Sequence, residues 1–294
     1  IVLSSILITS MFAENINYIE LGGGYARIKD NVNTTSKKIS SYSDKKKDNI
    51  ALGYFDIYTT FNINENIDVY LNSQIENTLI GTKIKNDYGN LELGIKYDSN
   101  EEFENPYLLN IDRKEIDTQE YGGYAVYTYP FTDYLESGVS YEYSKKDYER
   151  DLVDADLKRE GNRNIISIIN KFSKNISGNE IKLFHRLSFE NFSADGEASA
   201  YKNYASQQGG TISFPNDIDL ALITTFGNRE YDKRNPLFNK KQDVDYAAVE
   251  TSITFNDFLN YKDTYLSLKV GIVKEDSNIN FYDSQKSLAL VTMG

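Results

Sequence analysis

Between Asn66 and Glu76 apolar and polar residues alternate one by one. Ile67, Val69, Leu71, Ser73 and Ile75 fall on one side of an extended strand, and Asp68, Tyr70, Asn72, Gln74 and Glu76 on the other. Such a strand needs an apolar medium on one face and water on the other, which a half-buried soluble sheet or a membrane barrel can provide. The pattern recurs along the chain. Ile19, Leu21 and Tyr25 oppose Tyr18, Glu20, Gly22 and Gly24; Ala51, Phe55, Ile57 and Phe61 oppose Tyr54, Asp56 and Tyr58; Leu91, Leu93, Ile95 and Tyr97 oppose Glu92, Gly94, Lys96 and Asp98. Further strands are predicted over 79–85, 119–129, 135–143, 164–172, 181–189, 200–214, 217–226, 245–255, 265–273 and 286–294. The total is about fourteen, within the range of bacterial outer-membrane barrels.

Two features favour the membrane barrel over a soluble sheet. Short turns (62–65, 86–89, 130–133, 173–179, 215–216) alternate with long polar loops (28–49, 99–117, 228–243, 275–285), as periplasmic turns alternate with extracellular loops. The connection near Asn77 breaks the rule and is read as an exception or a bulge. Phe61, Phe131, Phe172, Phe214 and Phe255 each stand just before a short turn, and the last four lie 41 or 42 residues apart. That spacing suits an aromatic girdle, one member per hairpin. A mean hydropathy of −0.53 does not conflict, because only alternate residues of a barrel need be apolar.

At 294 residues, with 4 prolines and no linker-like stretch, residues 14–294 are read as a single domain. A net charge of −12 argues against nucleic acid as a partner. The absence of cysteine excludes disulfides and thiol chemistry. Residues 1–13 form an apolar run too short to span a membrane, read as part of a signal peptide for export; the chain is expected to be trimmed at both ends, in mid-strand at Gly294.

Four segments resemble an uncharacterised family of Gram-negative outer-membrane β-barrels known only as a domain of unknown function. They are Glu104-Asn105-Pro106-Tyr107 with Asp112-Arg113-Lys114-Glu115-Ile116-Asp117; Leu157-Lys158-Arg159-Glu160-Gly161-Asn162; Asn235-Pro236-Leu237-Phe238-Asn239-Lys240; and Asp276-Ser277-Asn278-Ile279-Asn280-Phe281-Tyr282-Asp283. The resemblance covers the C-terminal two thirds of the chain and implies an outer-membrane barrel with no assigned activity.

Candidate chemistry is sparse. Gly22-Gly23-Gly24 lacks the Lys-Ser/Thr of a phosphate loop. Asp276, Asn278 and Asn280 begin like a calcium loop, but Phe281 and Ser287 stand where Gly and Glu are needed. His185 is the single imidazole and shares a face with Leu183 and Leu187; Ser167 is a conceivable nucleophilic partner on the preceding strand. Asp112, Glu115 and Asp117 could activate water, although Arg113 and Lys114 between them suggest an ion-paired loop. The inward face is the more informative one. Glu20, Asp56, Asp68, Glu76, Glu92, Asp98, Glu120, Glu136, Glu142, Glu190, Asp219 and Glu250 are expected to line the lumen with Lys96, Lys182, Arg186 and Lys269. Acid exceeds base about threefold, which would favour cations in an open pore.

The expectation is a monomeric, porin-like outer-membrane barrel in contact with lipid and lipopolysaccharide, passing small solutes or cations, without cofactor, metal or enzymatic activity. The alternatives are a closed binding or structural barrel that contacts a ligand through its loops, and an outer-membrane hydrolase.

Overall fold

A computed structural model describes residues 17–32, 37–43 and 45–294. The proposed signal segment lies outside the described residues. Six strands make the first part of the wall: Tyr18–Asp30 (β1), Lys46–Asn64 (β2), Ile67–Gln74 (β3), Asn77–Asn86 (β4), Gly89–Phe103 (β5) and Glu115–Thr132 (β6). Four more follow, Leu135–Tyr148 (β7), Gly161–Ile176 (β8), Asn179–Ala194 (β9) and Tyr201–Phe214 (β10). Ile218–Asn235 (β11), Lys240–Asn256 (β12), Tyr265–Ser277 (β13) and Ser284–Met293 (β14) complete it. Each strand pairs antiparallel with its sequence neighbours, and β14 pairs with β1, Leu21 opposite Met293, so the sheet closes on itself as a 14-strand barrel.

Alternation sets which way each side chain points. Outward residues such as Leu21, Ile95, Val139, Ile168, Leu222 and Val270 remain exposed, while their neighbours Glu20, Ile169 and Ile223 are buried. A surface of exposed aliphatics is stable only against lipid. Tyr97, Tyr121, Tyr143 and Tyr204 stand exposed toward the long-loop end. Phe61, Phe131, Phe172, Phe214 and Phe255 stand on the outward side beside the short turns, with Tyr134 edge-on to Phe172 at 5.8 Å. The strand between the two aromatic levels, for example 135–143, rises roughly 23 Å when tilted by ~40°, close to the ~25 Å apolar band of such barrels.

The tight turns are locally encoded. At the β8–β9 hairpin Ser177 and Gly178 both take positive φ (53° and 84°), the two-residue turn whose twist matches the flanking strands. Inside the barrel, tyrosine rings lie over cross-strand glycines: Tyr70 over Gly81, Tyr124 over Gly94 and Tyr246 over Gly227. A side chain at Gly94 meets the Tyr124 ring. Gly94→Val is therefore expected to lower unfolding stability by about 1–3 kcal/mol, read by urea denaturation of the detergent-folded protein.

The structure extends the predicted strands at the long-loop end. β11 and β12 run on to Asn235 and from Lys240, so 236–239 is a short turn where a loop over 228–243 is predicted. The loop predicted over 99–117 shrinks to 104–114. Above the membrane both faces of a strand are wet, so alternation fades while the hydrogen-bonded ladder continues. The exception near Asn77 is a two-residue turn, Ile75–Glu76, at the long-loop end. β3 and β4 are consequently short, and β2 pairs with β3 only from Asp56 downward. The wall is notched there, between the upper parts of β2 and β5.

Candidate functional site

The loops at the long-loop end fold inward onto one another. Ile39 of the β1–β2 loop, Ile279 and Phe281 of the β13–β14 loop are buried in one cluster, flanked by Tyr42, Tyr107, Leu109 and Phe238. Tyr107 lies between β5 and β6 and Phe238 between β11 and β12, nearly opposite in the strand order, yet their rings are 6.5 Å apart. A 14-strand barrel is roughly 25–30 Å across, so this contact is possible only over the mouth. Phe281 touches the rings of Tyr42, Tyr107, Phe238 and Tyr282 at 5.0–5.5 Å. Polar contacts bind the same pieces: Tyr107 and Tyr282 share a hydroxyl hydrogen bond of 2.8 Å, Asn235 Nδ2 donates to the Tyr282 hydroxyl at 2.7 Å, and Tyr42 donates to the Tyr107 carbonyl at 3.0 Å. Leu157 lies in an adjoining buried cluster against which Tyr107 also packs, so all four motif-bearing segments meet in one cap.

Two arginines fasten it. Arg113, 2 % exposed, lies over the Phe103 ring and donates to the carbonyls of Asn31 and Pro106, tying the β1–β2 loop to the β5–β6 loop. Arg159 donates to Asp151 at 2.6 Å and to the Phe103 carbonyl at 2.8 Å, and packs on Tyr148. Below Arg159, above the Tyr97 level, Glu102 accepts from Lys146 and Tyr148, each at 2.6 Å. Burial alone would raise the Glu102 carboxyl, but Lys146 and Arg159 outweigh it and hold it down at about 2. A carboxylate depressed below its ordinary 4.5 stabilises the fold fully above that value and loses its contribution as pH falls toward 2. Pepsin cleavage of the 149–160 loop is therefore expected to accelerate between pH 4.5 and 2 beyond the enzyme's own pH profile; an unchanged ratio would remove Glu102 from the clasp.

Beneath the cap lies a cavity of 280 Å³, walled by Tyr107, Tyr148, Tyr201, Tyr231 and Tyr282 with Arg159, Arg163 and Arg229 among them. A second chamber, 1190 Å³, occupies the short-turn half of the lumen, with Asp257, Asp263 and Gly294 at its rim. Between them runs a belt of ion pairs. Lys96 contacts Glu120 at 3.1 Å and Glu142 at 2.5 Å, with Asp98 at 3.7 Å, and Arg163 lies 3.2 Å from both Glu120 and Glu190.

The other inward residues are engaged in similar ways. Asp56 accepts from Asn72 and Gln74, Asp68 pairs with Lys85, Glu136 with Lys171, Lys269 with Glu20, and Lys182 with Glu180. Asn256 donates to Asp219, and the Tyr70 hydroxyl reaches Glu92. Arg186 and Glu250 form no ion pair among the described residues. Glu76, at the β3–β4 turn, hydrogen-bonds through its carbonyl to Ser99 N. Sequence reasoning missed the inward bases Lys146, Arg159, Arg163, Lys171 and Arg229, most of which sit beyond the cleanly alternating stretches. Their presence narrows the acid excess expected from sequence.

The remaining candidates are separated or structural. Ser167 is buried and bonds Ser188 on the inner face, whereas His185 lies on the outward face beside Ser206 at 3.3 Å, so the sheet stands between them. A Ser167–His185 pair is excluded by this register, which sequence alone does not reveal. Asp112 and Asp117 are exposed, and Glu115 pairs with Lys37 rather than with its neighbours Arg113 and Lys114. Asn239 accepts from Arg234 at 3.2 Å, and Pro236 lies in the short β11–β12 turn. Asn278 stitches the cap through the Lys241 carbonyl and Asp243 N, and Asp276 pairs with Lys274. Gly22 and Gly24 pack closely against the backbone of β14. Among the described residues no cluster of acids and His has metal-binding geometry.

A closed antiparallel barrel with an apolar outer surface, two aromatic levels and a looped cap at one end is an integral outer-membrane β-barrel. Within that class the chain belongs to the family described as protein of unknown function (DUF2860), which matches residues 17–294. No curated protein matches it. Among solved structures, a Pseudomonas aeruginosa FadL homologue is similar at 10 % identity, over 94 % of this chain and 89 % of that one, with a TM-score of 0.51. The TodX monoaromatic hydrocarbon channel (deltaS2 mutant) matches at 10 % identity over 96 % and 90 %, TM-score 0.49. OmpT, an outer membrane protein of Vibrio cholerae, matches at 8 % identity over 96 % and 99 %, TM-score 0.44. At these identities the likeness is one of fold.

Proposed function

We propose that this barrel is a gated channel for small solutes, a ligand-capturing variant of a porin rather than an open one. The observation that carries the reading is the packed cap, which brings loops from opposite sides of the rim into contact over the mouth above a cavity. A chamber on the other side of the ion-pair belt provides the second half of a route. The pairing of most lumen acids argues against a strong preference for cations, since a paired carboxylate offers little field to a passing ion. Each strand finds its neighbours within the chain, which suits a monomer surrounded by lipid and lipopolysaccharide. No hydrolytic role is proposed, because His185 faces lipid and, although Ser206 lies 3.3 Å away, its cross-strand neighbours Asn170 and Gln208 supply no acid to orient the ring.

Planar-bilayer recordings test the gate. The intact protein is expected to give rare, brief unitary steps, and a variant with 104–114 replaced by a two-residue turn to give sustained ones. Sustained steps of equal size from both proteins would mean an open porin. Silence from both, with heat-modifiable protein inserted, would favour the second reading, a closed binding barrel, which the ion-pair belt supports.

A further inference from the structure

Two of the cations that wall the 280 Å³ cavity beneath the cap lack a close anionic partner. Of the carboxylates in its wall, Asp30 accepts from Val32 N at 3.1 Å, Glu102 is held by Lys146, Arg159 and Tyr148, and Glu275 accepts from Ser284 Oγ at 2.9 Å. Glu101 is exposed. Arg159 is occupied by Asp151, and Arg163 by Glu120 and Glu190. Arg229 differs from both. Its nearest carboxylate oxygen, on Glu275, is 3.7 Å away, well beyond the ~2.7–2.9 Å of a charge-assisted hydrogen bond. Its Nε, like that of Arg163, is buried with no hydrogen-bond acceptor. Lys286, in the same wall, forms no ion pair among the described residues.

The guanidinium of Arg229 is nevertheless held in place. It packs against the Tyr201 ring at 5.1 Å and the Tyr246 ring at 5.7 Å. Tyr246 is fixed by its hydroxyl, which donates to Asn203 at 3.1 Å, and by the space that Gly227 leaves beneath its ring. A cation oriented by two aromatic faces, with its donors unused in a half-buried site, is prepared for an anion from outside the chain. One side of the wall is aromatic. Phe192, Tyr201 and Tyr231 form a ladder with ring centroids 5.3 and 5.4 Å apart. The volume lies just under the ~300 Å³ at which small-molecule sites begin.

We propose that this cavity binds a small organic monocarboxylate with a flat apolar body, its carboxylate on Arg229 and Lys286 and its body against Phe192, Tyr201 and Tyr231. Inorganic phosphate would match the fork of Arg229 but leave the aromatic wall bare. The proposal rests on the reading of the cap as a lid over a ligand chamber, and supplies the class of ligand.

Isothermal titration of the full chain folded in detergent, with benzoate, hexanoate, benzamide and phosphate as probes, tests it. Benzoate is expected to bind most tightly, with benzamide weaker by about 10-fold or more because it lacks the charge. Arg229→Gln and Lys286→Gln are each expected to weaken benzoate by about 10-fold while leaving benzamide unchanged. Heat-modifiability checks that each variant is folded. If Arg229→Gln misfolds, Lys286→Gln carries the test. Equal affinity for benzoate and benzamide, tighter binding of hexanoate or phosphate, or no carboxylate binding to folded protein would each overturn the proposal. A protein that binds benzoate but conducts as an open pore would overturn the gated channel and leave this site standing.

Discussion

Phe281→Ala is expected to convert brief channel openings into a dominant open state while leaving the barrel inserted and folded. Phe281 is 1 % exposed and touches four aromatic rings, three from other loops and one, Tyr282, from its own. Removing a buried phenyl ring costs about 3–5 kcal/mol, part of it from the cavity left behind. Here the whole loss falls on the cap, because Phe281 belongs to a single 3-10 turn outside every strand ladder. With each ~1.4 kcal/mol worth tenfold in an equilibrium, the open fraction should rise by roughly 100-fold or more. Single-channel open probability measures this directly. Tyr88→Ala, at a short turn where the side chain is 80 % exposed, serves as control and should change nothing. An unchanged open probability in Phe281→Ala would show that the cap does not gate the lumen.

The sequence pattern is informative where the membrane is present and silent where it is not. In the span of 135–143 or 218–226, lipid on one side and water on the other force strict alternation, so strands and their facing can be read residue by residue. Past Phe226 that constraint ends, and Arg229 looks like part of a polar loop although it continues β11 with an inward side chain. Pairing register is equally hidden. Nothing in the residues around Ser167 and His185 says that the β8–β9 alignment sets them on opposite faces. The cap is the extreme case. Its motif segments are visible as motifs, but Tyr107 and Tyr282 meet 175 residues apart, across a mouth whose geometry follows only from closure of all fourteen strands. Their aromatic and amide side chains, typical of exposed loops, become a packed layer once the barrel brings them together.

The second large effect is expected from Arg159→Met, which should expose the 149–160 loop to protease without disturbing the barrel. Asp151 has a side chain only 2 % exposed, and Arg159 supplies its cation; the Lys158 ammonium goes to the Asp151 carbonyl instead. Removing Arg159 leaves a buried carboxylate uncompensated, at a cost of about 3–5 kcal/mol. The same change removes a hydrogen bond to the Phe103 carbonyl and the packing on Tyr148, so the loop loses its tie to the top of β5. Glu102 keeps Lys146 and Tyr148 and should still be ionised at neutral pH, which confines the damage to the cap. Proteinase K digestion of the folded protein, followed by mass analysis, should show cleavage within 149–160 at least about 100-fold faster. The decisive comparison is the double variant Asp151→Leu with Arg159→Met. An apolar pair of similar volume needs no compensating charge, so it should recover at least half of the lost resistance in free-energy terms. If the double variant is cleaved as fast as the single one, the hydrogen bonds of Arg159 to the β5 backbone, and not its pairing with Asp151, hold the loop. If the single variant resists like the wild type, the cap is fastened by its aromatic cluster alone.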